Sequence, residues 1–155
     1  MNVNKVYYLT EQGLSKLKQE LEQLKELRKT KLGKEAPSAF YSEELNSEFV
    51  SFRDDMDALD AKLEEMEYIL NNYEIIKPPA VSGRDKVNLG AKVRVEINGE
   101  IDEFVMVGTW EANPALGMIS NESPVGMALM GKKAGETALV NSSVKIEYKI
   151  KKITY

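Results

Sequence analysis

The sequence predicts an α+β chain: an N-terminal antiparallel α-helical coiled-coil hairpin over residues 1–76, a linker at 77–83, and a small antiparallel β domain with one short helix over 84–155. Three observations predict it. Apolar residues recur at alternating spacings of three and four in the first half and at a spacing of two in the second. Consecutive prolines, Pro78 and Pro79, separate the halves by removing backbone donors and forcing extended geometry on the residues before them. Charge divides at the same place: residues 1–76 carry 10 Lys and Arg against 16 Asp and Glu, whereas residues 77–155 carry 11 against 9, in a chain of net charge −4.

Each element has a local reason. Leu14, Leu17, Leu21 and Leu24 form the seam of a first helix, with Thr10 as its N-cap; the seam fades into Arg28, Lys29 and Lys31, and Pro37 stops the helix. Phe49, Phe52, Met56, Leu59, Leu63, Met66, Leu70 and Tyr73 form a second seam on a helix over residues 43–73, about 45 Å long. A helix of that length with one apolar stripe needs a partner, and the nearest is the first helix, with the turn in residues 36–42. A homodimeric coiled coil would bury the same stripe; the hairpin reading implies a monomer. In the second half, strands at 91–97 and 100–107 flank Asn98-Gly99, a strong hairpin signal. Val144, Ile146, Tyr148 and Ile150 alternate with Lys145, Glu147, Lys149 and Lys151, a strand with one buried face. Between them Ser123 caps a short helix over residues 125–130, Pro124 opens it and Gly131 closes it.

The residues the chain lacks narrow its chemistry. Without Cys there are no disulfides, thiolate metal sites or cysteine nucleophiles, and without His there is no Ser-His-Asp catalysis and no imidazole ligand. A metal here would be a hard, oxygen-liganded ion such as magnesium. No run approaches the ~20 apolar residues of a membrane span, and the first ten residues lack a secretory pattern, so the expected compartment is the cytoplasm and no membrane partner is expected.

Three constellations carry chemistry. The finger tip reads Ser42-Glu43-Glu44-Leu45-Asn46-Ser47-Glu48. It reads first as a structural feature, Ser42 as an N-cap with two first-turn acids, and second as carboxylates that, at the end of a narrow finger, can reach a buried catalytic centre and help hold a metal ion. Lys25, Arg28, Lys29, Lys31 and Lys34 face Asp54, Asp55, Asp57 and Asp60 across the hairpin, which reads first as cross-helix ion pairing and second, at Arg28, Lys29 and Lys31, as contact with RNA phosphates. At net charge −4 free duplex DNA is not expected as the primary partner, although a local basic stripe can still touch nucleic acid. Met118, Met127 and Met130 with Trp110 read as core filling rather than a ligand pocket.

In order along the chain, three segments carry a family resemblance. They are Leu9-Thr10-Glu11-Gln12-Gly13-Leu14-Ser15-Lys16-Leu17, Asn46-Ser47-Glu48-Phe49, and a long C-terminal run from Ile119 through Ser123-Pro124-Val125-Gly126 to Gly135. Together they resemble the bacterial Gre family of transcript-cleavage and elongation factors over nearly the whole chain. The resemblance implies an FKBP-like C-terminal domain docked at the rim of the secondary channel of RNA polymerase, and a hairpin inserted through that channel. It further implies that tip acids support a magnesium ion of the polymerase's own active site. The factor is then not itself an enzyme and has no cofactor of its own; it stimulates hydrolysis of backtracked RNA, whose 3′ end it meets indirectly. Glu43 and Glu44 are the candidate acids acting in trans, with Ser42, Asn46 and Glu48 as tip support. The rim-docking candidates are Asn121, Glu122, Ser123, Pro124 and Gly126, because Ser123 and Pro124 fix the helix start and present the loop before it.

The tip departs from the family pattern. Aligned through Asn46-Ser47-Glu48-Phe49, the family's Asp falls at Ser42 and its other Glu at Leu45. Either Glu43 and Glu44 rebuild the acidic tip, or the chain occupies the channel without stimulating cleavage and inhibits transcription or antagonises other Gre-type factors. Two other classes are a proline-peptide isomerase, for which the aromatics on offer are Phe104, Trp110 and Tyr148, and a plain coiled-coil scaffold, which would not bind polymerase.

Overall fold

Two long helices with thin apolar seams make up one unit of the molecule. The computed structural model describes residues 5–34, 47–141 and 145–155. Its compact units are Leu14–Asn72 on one side and, on the other, the residues up to Gly13 together with Tyr73–Tyr155. The short N-terminal segment, grouped with the helices on sequence grounds, therefore packs with the β domain.

Helix α1 spans Glu11–Lys34 and α2 spans Ser47–Asn71. The seam buries Leu17 and Leu21 from α1 and Met56, Leu59, Leu63, Met66 and Ile69 from α2, while Leu14 and Leu24 are half-buried. Ile69 rather than Leu70 is buried at the end of α2, and Tyr73, expected on that helix, lies in a strand instead. Cross-helix ion pairs fix the direction: Lys25 with Glu67 (3.0 Å), Arg28 with Asp60, and Lys31 with Asp55 (3.1 Å). Partners descend along α2 as they ascend along α1, so the helices are antiparallel and pair within one chain. The expected turn at residues 36–42 lies outside the described residues.

In the second unit, strands β1 (Tyr7–Leu9) and β2 (Tyr73–Ile75) form a parallel pair that the sequence reading did not anticipate. A mixed sheet holds β3 (Lys92–Ile97), β4 (Glu100–Val107), β5 (Met118–Ser120), β6 (Thr137–Asn141) and β7 (Lys145–Thr154) in the order β5-β4-β3-β7-β6. Asn98 and Gly99 both adopt positive φ (52° and 86°), the conformation a two-residue hairpin turn requires between β3 and β4. The expectation of a purely antiparallel sheet is corrected at one edge, where β5 pairs with β4 in parallel. Two 3-10 turns, Thr109–Glu111 and Pro114–Leu116, bring the chain back to run in the same direction. Helix α3 (Pro124–Leu129) covers the inner face, whose core includes Val93, Val95, Met106, Leu129, Ala138 and Ile150. No helix among the described residues is long and apolar enough to cross a membrane.

Candidate functional site

Ser123 organises the loop before α3. Its backbone is extended (φ −72°, ψ 156°), and its hydroxyl oxygen accepts from Gly126 N (3.0 Å) while the hydroxyl donates to Ser120 O (2.7 Å). Pro124 occupies the first helical position, where the missing N–H costs nothing. Glu122 N donates to Ser120 Oγ (3.1 Å) and Asn121 N to Val107 O (3.0 Å), so residues 120–123 form a tight, self-bonded turn. Gly126 is essential to it, because a Cβ there would stand 1.9 Å from Ser120 O. Asn121 Oδ1 is buried and has no hydrogen-bond partner among the described residues.

The turn is tied to the N-terminal segment of its own unit. Lys5 Nζ donates to Glu122 Oε2 (2.7 Å), and that ammonium, helped by the Thr109 hydroxyl, holds the Glu122 carboxyl below the usual carboxylate range. Nearby, Glu111 accepts from both the backbone N and the Oγ1 of Thr10 (2.6 Å each), and Thr10 Oγ1 accepts from Gly13 N (2.9 Å). Thr10 is thus the N-cap of α1, as its sequence position predicts, and Glu111 extends the cap from across the domain. A side chain at position 13 would collide with the Glu111 carboxylate at 2.1 Å. Sequence reasoning missed Lys5 and Glu111; the one available signal was Gly13, a poor helix former in a first turn.

On the finger, Arg28 grips Asp60 with two donors, Nε to Oδ1 and Nη2 to Oδ2 (3.2 Å), raising its own pKa and lowering that of Asp60. Lys31 pairs with Asp55. Two of the three candidate RNA-contacting cations therefore bind carboxylates across the hairpin, and Lys29 is exposed with no ion pair among the described residues. Lys25 pairs with Glu67 rather than with the aspartate group. Glu48 lies exposed in the first turn of α2, whereas Ser42, Glu43, Glu44 and Asn46 lie outside the described residues. Among the described residues no three carboxylates are grouped to hold a metal ion.

The aromatic and methionine groups separate. Phe104 and Tyr148 are both buried in the core, with ring centroids 6.2 Å apart. Met130 packs against that core, but Met127 is 62% exposed on α3, so core filling does not describe it.

Comparison with known proteins covers both units. Residues 7–75 match the family description "Transcription elongation factor, N-terminal", and residues 82–155 match "Transcription elongation factor, GreA/GreB, C-term". The chain is 36% identical over 130 residues to transcription elongation factor GreA of Thermomicrobium roseum, covering 83% of each chain. To that of Clostridium acetobutylicum it is 36% identical over 146 residues, covering 91% of each. Among solved structures it is similar to GreA factor homolog 1 of Thermus thermophilus (26% identity, TM-score 0.43, covering 97% of this chain and 100% of that one). A further similar structure is the GreA/GreB elongation factor of Nitrosomonas europaea (18% identity, TM-score 0.42, covering 96% and 99%).

Proposed function

We propose, from the premise that this chain belongs to the GreA/GreB family of transcription elongation factors, that it binds bacterial RNA polymerase and stimulates cleavage of backtracked RNA by the polymerase active site. The finger enters the secondary channel, and the turn formed by Asn121, Glu122, Ser123, Pro124 and Gly126 docks at the rim. The observation that carries this reading is the antiparallel finger itself, zipped within one chain by Arg28–Asp60 and Lys31–Asp55. A monomer of this build can be narrow enough to enter a channel. The chain works in the cytoplasm and is not itself an enzyme.

Its contribution is charge delivered at fixed geometry, and catalysis by position and electrostatics is large when the groups are held before the reaction begins. Glu43 and Glu44 are the acids brought to the polymerase's magnesium, which supplies Lewis-acid activation of water and phosphate. Lys29, with its charge uncommitted among the described residues, is the finger cation best placed to meet RNA phosphate. The departure at Ser42 and Leu45 supports a second reading, channel occupancy without cleavage.

Competition with a known Gre factor for polymerase tests binding: displacement at saturating concentration is expected, and none would sink the proposal. A Ser123→Ala, Pro124→Ala double variant tests the rim. It is expected to bind less tightly while remaining folded, with the melt followed alongside because loss of an N-cap costs about 1 kcal/mol. Unchanged affinity in a folded variant would move docking elsewhere.

A further inference from the structure

The core lies on one face of the five-stranded sheet, and strand alternation turns a separate set of side chains to the other. On β3 and β7 the buried residues are Val93, Val95, Tyr148 and Ile150, while Lys92, Arg94, Lys149, Lys151 and Lys152 are exposed. Register places Lys92 opposite Thr154, Arg94 opposite Lys152 and Glu96 opposite Lys149. A bulge in this pairing at Arg94/Val95 breaks the alternation of β7. Ile150 and Ile153 both pack toward the core, and the two residues between them are consecutive exposed lysines. The bulge thus adds a cation to the outward face.

We propose that this outward face of β3 and β7 binds the phosphodiester backbone of nucleic acid without regard to sequence. Six cations, Lys145 included, share this face with three carboxylates, Glu96, Glu103 and Glu147, in a chain whose overall charge is −4. Glu103 is shared by Lys92 (3.4 Å) and Arg94 (3.3 Å), and Glu96 pairs with Lys151. Among the described residues no carboxylate lies within 4.0 Å of the ammonium of Lys149 or Lys152; Lys149 stands opposite Glu96 and acts on that carboxylate only through space, and Lys152 stands opposite Arg94, so neither ammonium is locked in a direct ion pair. Lys92, Arg94, Glu103, Lys152 and Thr154 line a recess of about 280 Å³, open to solvent and polar.

The chemistry favours a polyanion over a protein surface. Cations two residues apart on one strand repeat every ~6.6 Å, which suits a chain of regularly spaced charges. No exposed large apolar side chain lies on β3 or β7 themselves; Ile101 on β4 and Leu139 on β6 only flank the stripe, whose own outward residues are charged or polar. No aromatic side chain is exposed on these two strands for base stacking, so recognition is confined to phosphate and is set by counterion release. The inference does not depend on polymerase binding and is tested without polymerase.

Fluorescence anisotropy of the full chain with a labelled single-stranded RNA, and separately a labelled DNA duplex of mixed sequence, between about 50 and 200 mM salt reads the interaction directly. The expected affinity falls linearly with salt on logarithmic axes. In Lys149→Ala, Lys152→Ala the slope is expected to be shallower by about 1.4 on RNA and 1.8 on duplex, two phosphate contacts in each case. Lys149→Arg, Lys152→Arg is expected to restore it, and the stronger of the two probes identifies the natural form of the backbone. The wild-type slope retained in an alanine variant that melts normally would overturn the assignment, as would absence of salt-dependent binding by the wild type. Displacement of both nucleic acids by labelled polyglutamate at lower concentration would overturn it in favour of an acidic protein.

Discussion

The helical finger and the β domain hold together by different means. In the β domain Val87, Ala91, Val93, Val95, Met106, Leu129, Ala138 and Ile150 are all fully buried in one cluster. The finger buries a single file of side chains, and that file thins along α1: Leu17 is fully buried and Leu21 nearly so, but Leu27 and Leu32 are each 45% exposed. Where apolar cover runs out, ion pairs take over, at Arg28–Asp60 and Lys31–Asp55. Two helices can enclose only a seam, so a rod trades core for narrowness and takes its register from charge. A sheet covered by a helix encloses a volume, and its cohesion is hydrophobic and cooperative.

Truncation at matched positions should break this contrast most visibly. Ile150→Ala is expected to destabilise the β domain by about 2–5 kcal/mol, lowering the melt reported by Trp110 fluorescence. Leu17→Ala is expected to cost toward the lower end of about 2–5 kcal/mol and to be read mainly as lost helical circular dichroism, with the Trp110 melt retained. If both variants shifted both signals together, the two units would be one cooperative body and the contrast would fail. A smaller effect is expected at Gly126→Ala, where a Cβ meets Ser120 O at 1.9 Å; about 1–3 kcal/mol should be lost from the β domain alone.

The smallest effect sharpens the electrostatic side. Arg28 holds Asp60 below its ordinary value of 3.8, so this pair stabilises the finger above that value and the contribution is lost as pH falls further, below about pH 4. Because the pair is exposed, the effect is small and fades in high salt. Helicity of the wild type should therefore decline more on acidification than that of Asp60→Asn at low salt. Identical acid titrations of the two would remove the pair from the account.

Legibility from sequence followed length and periodicity. The two helices, the Asn98-Gly99 hairpin and the Ser123-Pro124 helix start were readable because each repeats a period or places a capping residue where only one geometry uses it. Strands β1, β2 and β5 are three residues each, too short to show alternation, and two of them pair across more than 60 residues of chain. Glu111 could not be read as part of the α1 cap, since its partner Thr10 is 101 residues away. The cross-helix pairing at Arg28 and Lys31 was legible because both continue the α1 seam spacing after Leu24 while Asp55 and Asp60 adjoin the α2 seam residues Met56 and Leu59, whereas Lys5–Glu122 follows no local rule.

Acceleration of RNA cleavage in backtracked polymerase complexes tests the central claim most directly, comparing the wild-type chain with Glu43→Ala, Glu44→Ala. The wild type is expected to accelerate cleavage, and the double variant to lose that acceleration while competing for polymerase as well as before, because a carboxylate lost at the metal removes stabilisation from the transition state and leaves affinity to the finger and rim. A wild type that occupies the channel and never accelerates cleavage, even with excess magnesium, would contradict the account.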